Sequence, residues 1–312
     1  MMARFLLQRR CSSVLETVLC GVSMKSPVIA ASGTFGFGLE YADYLDLNTV
    51  GAISVKGLSL KPRRGNDGRR ICETPSGMLN CIGLENPGVE SFINDILPQL
   101  STYDVPIMAN ISGSDIEEYG KMAALLDIEG IDFLEVNISC PNVKNGCLAF
   151  GVDPVSAAQV TRIVKENTHK PVIVKLTPNV TDIVSVAVAV EAAGADGISL
   201  INTLLGMAID VDTWQPFMGN RFGGLSGPAV KPVAVRMVYQ AAQAVHIPII
   251  GMGGIMSGRD AAEFMLAGAS AVSVGTATLC SPTAIVDITK ELEQYGQGKG
   301  LVNIGEIVGQ CK

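Results

Sequence analysis

Eight short apolar runs recur along the chain: Val28–Ala31, Ala52–Val55, Ile107–Asn110, Phe133–Asn137, Val172–Lys175, Gly197–Ile201, Ile249–Met252 and Ala271–Val274. Each is continuous, with little alternation, as expected of strands covered on both faces. Between them apolar residues return at helical spacing. Asp153-Pro154, Thr181-Asp182 and Ser257 stand where helices should begin, as side-chain caps with a proline in one first turn. Ala193-Gly194-Ala195 and Ala267-Gly268-Ala269 place a glycine where a left-handed residue should stop a helix before the next strand. Eight strands alternating with helices predict a closed (β/α)8 TIM barrel of about 250 residues plus extras. The rival is an open doubly wound sheet, against which stand the count of eight and the lack of a Gly-x-Gly-x-x-Gly opening. Residues 1–312 are read as a single barrel domain. A short N-terminal β extension around Val14 to Val22 is expected to cover the barrel's bottom, and long βα loops its C-terminal face. The connection from Gly57 to Asn86, with many Arg, Gly and Pro, is too long for a simple turn, and function or disorder is expected of it.

Composition sharpens this picture. A chain of 312 residues with 48% hydrophobic residues, 34 glycines and 17% charged residues suits a deeply buried α/β protein that needs no covalent staples. The net charge is −7, and basic residues cluster only briefly, as in Lys61-Pro62-Arg63-Arg64 and Arg69-Arg70, so no nucleic-acid partner is expected. Eight cysteines at 11, 20, 72, 81, 140, 147, 280 and 311 form no Cys-x-x-Cys pair, and there are two histidines, His169 and His246. No metal site and no disulfide framework are expected, and a reducing, cytoplasmic setting fits. The N-terminal residues Met1 to Arg10 have some targeting flavour, but their apolar run is too short for a secretory signal. Ile183 to Ala195 is broken by Glu191 and Gly194 and falls far short of the roughly 20 residues of a membrane span, so the chain is expected to be soluble.

The chemistry gathers at strand ends. After the runs come Ser32-Gly33, Lys56-Gly57, Asn110, Asn137 with Cys140, Lys175, Asn202-Thr203, Gly253-Gly254 and Gly275-Thr276. In a barrel these points converge on the C-terminal face, where active sites sit. Two lysines there are poorly solvated and call for anionic partners. Gly253-Gly254 and Gly275-Thr276, after the seventh and eighth strands, stand where barrels build phosphate sites from backbone N–H groups, though turns need glycine too. Asn137-Ile138-Ser139-Cys140-Pro141-Asn142 adds a thiol between carboxamides, a group able to move protons near neutral pH. These rules yield a phosphate-bearing ligand, two buried cations and one thiol. They do not name the reaction.

That hexapeptide, Val174-Lys175-Leu176-Thr177-Pro178-Asn179, Ile201-Asn202-Thr203, Gly224-Leu225-Ser226-Gly227-Pro228 and Ile250-Gly251-Met252-Gly253-Gly254 together resemble the dihydroorotate dehydrogenase family. The segment Ser76-Gly77-Met78-Leu79-Asn80-Cys81-Ile82-Gly83-Leu84-Glu85-Asn86-Pro87-Gly88 continues the match, which runs in order from about Ser26 to beyond Thr276. The eight-strand count and this resemblance are not independent. The details are most similar to the NAD-linked class 1B catalytic subunit. The resemblance implies FMN across the barrel mouth, its phosphate on Gly253, Gly254, Gly275 and Thr276, with Ser32, Lys56, Gly57, Asn110, Asn137, Ile201 and Gly227 completing the site. It implies Lys175 at the pyrimidine edge of the flavin and Cys140 as the base that takes the C5 proton of dihydroorotate. Lys56, Asn80, Asn137 and Asn202 would hold the substrate, helped by Thr203 and the segment Cys81, Ile82, Gly83 and Leu84. The base in membrane-linked class 2 relatives is serine, so Cys140 speaks against that class.

The family's class 1B members add a second subunit with FAD and a [2Fe-2S] cluster, in a heterotetramer of two of each. This chain lacks a dinucleotide fingerprint and a cysteine cluster, so NAD linkage is expected only through such a partner. Cys81 and Cys147 are read as local packing, although Cys81 puts a second thiol near the substrate where the family more often has alanine or serine. His169 and His246 are expected in surface turns at the barrel's bottom. Three alternatives remain: a dihydropyrimidine dehydrogenase-type module acting on dihydrouracil or dihydrothymine, a fumarate-linked class 1A enzyme, and a non-catalytic phosphate-binding barrel. Lys56 with Asn80 favours an acid substrate over the first of these.

Overall fold

A computed structural model describes residues 13–139 and 150–311. The first strands described form an antiparallel hairpin of β1 (Thr17–Leu19) and β2 (Val22–Met24). Strands β3 (Val28–Ala30) and β4 (Ala52–Ser54) follow, then β5 (Ile71–Thr74) and β6 (Gly77–Asn80) within the long connection after Gly57. A helical stretch, α1 (Val89–Ser91), a π-turn (Phe92–Ile96) and α2 (Leu97–Leu100), leads to β7 (Ile107–Ile111). Next come α3 (Ile116–Leu125), β8 (Phe133–Asn137), α4 (Pro154–Lys165), β9 (Val172–Lys175), α5 (Ile183–Ala192) and β10 (Gly197–Leu200). The short strands β11 (Leu204–Met207), β12 (Ile209–Asp210), β13 (Gln215–Pro216) and β14 (Phe222–Ser226) precede α6 (Lys231–Ala242). The chain continues through β15 (Ile249–Met252), α7 (Gly258–Leu266), β16 (Ala271–Val274), α8 (Thr276–Cys280) and α9 (Ala284–Gly298).

Eight of these strands close a parallel barrel in the order β10-β15-β16-β3-β4-β7-β8-β9. They are the eight apolar runs of the sequence, so the expected (β/α)8 architecture is observed and the open-sheet alternative is not. The expected caps are in place: Asp153, Asp182 and Ser257 accept from the backbone N–H groups of Ser156, Val184 and Asp260. Gly194 and Gly268 end their helices at φ 97° and 121°, a conformation that side chains resist.

Alternation along each strand sorts the residues. On β8, Leu134 and Val136 belong to the main core with Val160 and Val164 of α4, while Phe133 belongs to a separate cluster inside the barrel. There Leu19 and Met24 of the hairpin pack with Ile29, Met108, Phe133, Ile173 and Ile250, so the N-terminal extension plugs the bottom as expected. Phe133 is wholly buried, and truncating such a ring to alanine costs about 3–5 kcal/mol. With the bottom sealed by apolar side chains, the polar interior residues lie toward the C-terminal end.

Two features differ from the sequence expectation. The loops over the C-terminal face contain a four-stranded antiparallel sheet, β11-β14-β6-β5, and a small β12-β13 hairpin. Their strands are short, partly exposed and, in β14, interrupted by Gly223-Gly224, which hides the period-two signal. The barrel strands are also less uniformly apolar inside than their runs suggest, because Ser54, Glu135 and Ser199 are buried there. His169 and His246 are exposed, as expected of surface turns. Among the described residues no helix is long and apolar enough to cross a membrane.

Candidate active site

The barrel mouth holds a cleft of about 320 Å³. Nineteen of the twenty residues singled out from the sequence line it; the exception, Cys140, lies outside the described residues, as does Cys147. Ser32 follows β3, Lys56 and Gly57 follow β4, Asn110 is on β7, Asn137 and Lys175 end β8 and β9, and Ile201, Asn202 and Thr203 follow β10. Gly253 and Gly254 follow β15, and Gly275 and Thr276 follow β16. Asn80, Cys81, Ile82, Gly83 and Leu84 come from the end of β6, and Gly227 from the end of β14. The extra sheet therefore builds one wall, because β14 pairs with β6 and sets Gly224 opposite Asn80.

The floor is polar and ordered by a single carboxylate. Register places Asn110 beside Glu135 and Asn137 beside Lys175 on adjacent strands. Glu135 Oε2 accepts from Asn110 Nδ2 at 2.6 Å and from Ser54 Oγ at 2.9 Å, and Oε1 accepts from Ser199 Oγ at 2.7 Å. The Lys175 ammonium lies 3.5 Å from Oε2. Burial pushes the Glu135 carboxyl up, but the Lys175 charge and the hydrogen bonds from Ser199, Asn110 and Ser54 outweigh it and hold the group below the usual carboxylate range. Lys175 thus has the anionic partner its position demands. Lys56 differs from expectation in being only partly buried, because it stands beyond the end of β4.

One atom on this floor lacks a partner. Asn110 is fully buried and its Oδ1 makes no hydrogen bond among the described residues. A buried acceptor left in that state costs about 1–3 kcal/mol, so the site suits a ligand that brings an N–H. The Lys175 cation nearby suits a carbonyl or a developing negative charge on the same ligand.

The walls are fixed by side-chain amides. Asn137 Oδ1 accepts from Ser139 N at 3.2 Å and Ser139 Oγ at 2.6 Å, and Asn202 Nδ2 donates to that same hydroxyl. Asn202 Oδ1 accepts from Thr203 N at 2.7 Å, and Asn179 ties Thr203 and Leu205 together by donating to Thr203 O and accepting from Leu205 N. Asn80 Nδ2 donates weakly to Gly224 O at 3.3 Å and is the least constrained of these amides. Cys81 is buried, its Sγ 3.7 Å from Arg69 O, and packs with Cys72, Leu79 and Met218, in keeping with its reading as packing. At the far end, Gly253, Gly254 and Gly227 all have positive φ, and a Cβ on Gly254 would stand 2.6 Å from Gly227 O. That close backbone arrangement beside Thr276, whose Oγ1 donates to Ser226 Oγ at 2.9 Å, leaves room for a phosphate. The residues present therefore fit a ligand with a polar planar ring at one end and a phosphate at the other.

Sequence reasoning missed Glu135, Ser54, Ser199, Ser139 and Asn179. Glu135 alone had a usable signal: a carboxylate in the middle of an otherwise apolar strand must find partners inside the barrel.

A family model described as dihydroorotate dehydrogenase matches residues 14–295. The chain is 55% identical over 296 residues to a protein of Geobacter sp. (strain M21), covering 95% of this chain and 97% of the relative. It is 57% identical over 292 residues to one of Desulforudis audaxviator, covering 93% and 95%. With one of Desulforamulus reducens it shares 58% over 289 residues, covering 92% and 95%. All three relatives are named dihydroorotate dehydrogenase B (NAD(+)), catalytic subunit.

Proposed function

The chain belongs to the dihydroorotate dehydrogenase family, and from that premise we propose that it oxidises (S)-dihydroorotate to orotate, a step of de novo pyrimidine synthesis, as the catalytic subunit of an NAD-linked class 1B enzyme. The observation that carries this reading is the cleft floor, where the orphaned Asn110 Oδ1 and the Lys175 ammonium are held by one buried carboxylate. An N–H acceptor beside a cation suits the pyrimidine edge of a flavin. FMN, when bound, supplies two-electron chemistry by accepting the C6 hydrogen of the substrate as hydride. Gly253, Gly254, Gly275 and Thr276 would hold its phosphate, and Ser32, Lys56, Gly57, Asn110, Asn137, Lys175, Ile201 and Gly227 the remainder.

The chain's own groups do the rest. Lys56, Asn80, Asn137 and Asn202 would bind the substrate carboxylate and ring amides, with Thr203 and the Cys81–Leu84 segment closing around them. Amides fixed like those of Asn137 and Asn202 orient a planar acid at little entropic cost at the moment of reaction. A proton α to a carbonyl is weakly acidic, so its removal needs a positioned base. Cys140 is assigned that role from the sequence motif: its sulfur takes the C5 proton as the C5–H bond breaks. An ordinary thiol pKa near 8.5 lies close to working pH.

Electrons would leave through a second subunit carrying FAD and [2Fe-2S] and reach NAD, in a heterotetramer built on a catalytic-subunit dimer. The relatives' name, a catalytic subunit linked to NAD(+), supports a partner. We read the whole chain as one domain working in the cytoplasm. The test is anaerobic: the purified chain should be yellow, and its visible flavin absorbance should bleach with dihydroorotate. Bleaching by dihydrouracil alone would move the assignment to pyrimidine catabolism, and failure to bind FMN on reconstitution would remove the oxidoreductase reading.

A further inference from the structure

Glu135 has no part in the reaction as proposed, yet it is the most constrained group near the cleft. Its side chain is 2% exposed, and every neighbour of its oxygens is a donor: Ser199 on Oε1, and Ser54, Asn110 and Lys175 on Oε2. An ionised carboxylate only accepts, so Asn110 must turn its NH2 group toward Glu135 and its Oδ1 away. Gly57 leaves that oxygen clear, since a Cβ there would stand 3.0 Å from it. The same carboxylate gives Lys175, itself buried, a counter-charge that does not depend on what occupies the cleft.

Resting on the reading of the cleft as an FMN site, we propose that Glu135 is a positioning residue that sets Asn110 as a fixed acceptor and holds Lys175 beside it with a counter-charge from the protein itself. The floor then selects a planar ring offering an N–H beside a carbonyl. Among the described residues, the other titratable groups facing this floor are Lys56 after β4 and Cys81 after β6; Ser54, Ser199 and Ser273 on the flanking strands do not titrate. Removing the carboxylate leaves Lys175 buried without its anion and frees Asn110 to turn.

The test is E135Q in the full-length chain, which keeps shape, removes charge and adds a donor facing Asn110. The FMN dissociation constant, from quenching of flavin fluorescence, should rise at least tenfold. The midpoint potential of the bound FMN at pH 7 should be displaced from wild type by at least about 30 mV, a tenfold change in the equilibrium constant. A purely structural role predicts lower thermal stability with wild-type affinity and midpoint potential, and that result overturns the proposal. If E135Q does not fold, the double variant E135Q/K175M removes both buried charges and carries the test. It should bind FMN more weakly than K175M through the freed Asn110, and equal affinity in the two overturns the proposal. A wild-type chain that binds no FMN defeats the reading of the cleft together with the proposal. An indifferent E135Q in a chain that binds FMN defeats the proposal alone.

Discussion

Replacing Gly254 by alanine should damage the glycine-built end of the cleft, where the phosphate is proposed to bind, by an amount the structure allows to be worked out. Gly254 has φ +78, and a Cβ there would lie 2.6 Å from Gly227 O, 2.9 Å from Lys231 Cβ and 3.1 Å from Lys231 N. Neither neighbour can withdraw. Gly227 is itself at φ +92 with its α-carbon against Gly77, and Lys231 is pinned by Asp260 at 2.6 Å and Glu263 at 2.8 Å. The left-handed backbone costs an alanine about 1–2 kcal/mol, and overpacking against fixed atoms about 1–3 kcal/mol more. The sum, about 2–5 kcal/mol, corresponds to a fall in Tm of about 4–10 °C at roughly 2 °C per kcal/mol for a chain of this size. The variant should also lose FMN affinity, so saturating FMN should raise its Tm less than it raises that of wild type. Gly298, at the end of α9, is the control: a Cβ there meets nothing within 4 Å, and G298A should be neutral or stabilising by up to about 1 kcal/mol. Thermal melts with and without FMN decide it. A G254A chain that melts and binds FMN like wild type would refute the steric argument.

Acid stability and thiol reactivity supply two more tests. Asp260 is pushed up by burial, but Lys231 and the donors from Met256 and Ser257 outweigh this and hold it below the usual carboxylate range. A carboxyl depressed on folding stabilises the fold above its unfolded value, near pH 4, and that contribution disappears as the pH drops through the folded value. Urea midpoints between pH 2 and 7 should therefore fall on acidification in wild type and fall less in D260N; parallel curves would contradict the assignment. Burial, then the charge of Asp196, pushes the Cys20 thiol up to about 12. At pH 8 a thiol reagent should modify the exposed Cys280 and Cys311 quickly and Cys20 only after unfolding, as peptide mapping would show.

How far the sequence reaches can be seen strand by strand. The eight barrel strands are legible because burial on both faces leaves them as apolar runs, with the family resemblance helping to fix their count, and the capping residues Asp153, Asp182 and Ser257 mark helices between them. Strand ends then located the cleft, since a barrel brings every such end to one mouth. The sheet of β5, β6, β11 and β14 reads as loop in the sequence because its strands are short, half-exposed and glycine-bearing. Glu135 is hard to interpret inside the run Phe133–Asn137, because period-two alternation shows which face a residue takes and not which polar partners meet it inside a closed barrel. Ser54 and Ser199 are silent in sequence for the same reason: they become a carboxylate's donors only once β4, β8 and β10 face one another across the interior.

The most direct test of the account is single-turnover bleaching of the FMN-loaded chain by dihydroorotate under anaerobic conditions, comparing wild type with Cys140→Ser at neutral pH. A positioned base contributes about 10²–10⁴-fold, so the serine variant should bleach slower by that factor while binding orotate with little change. A serine variant that bleaches within twofold of wild type would contradict the assignment of Cys140, and a wild-type chain that does not bleach at all would contradict the activity itself.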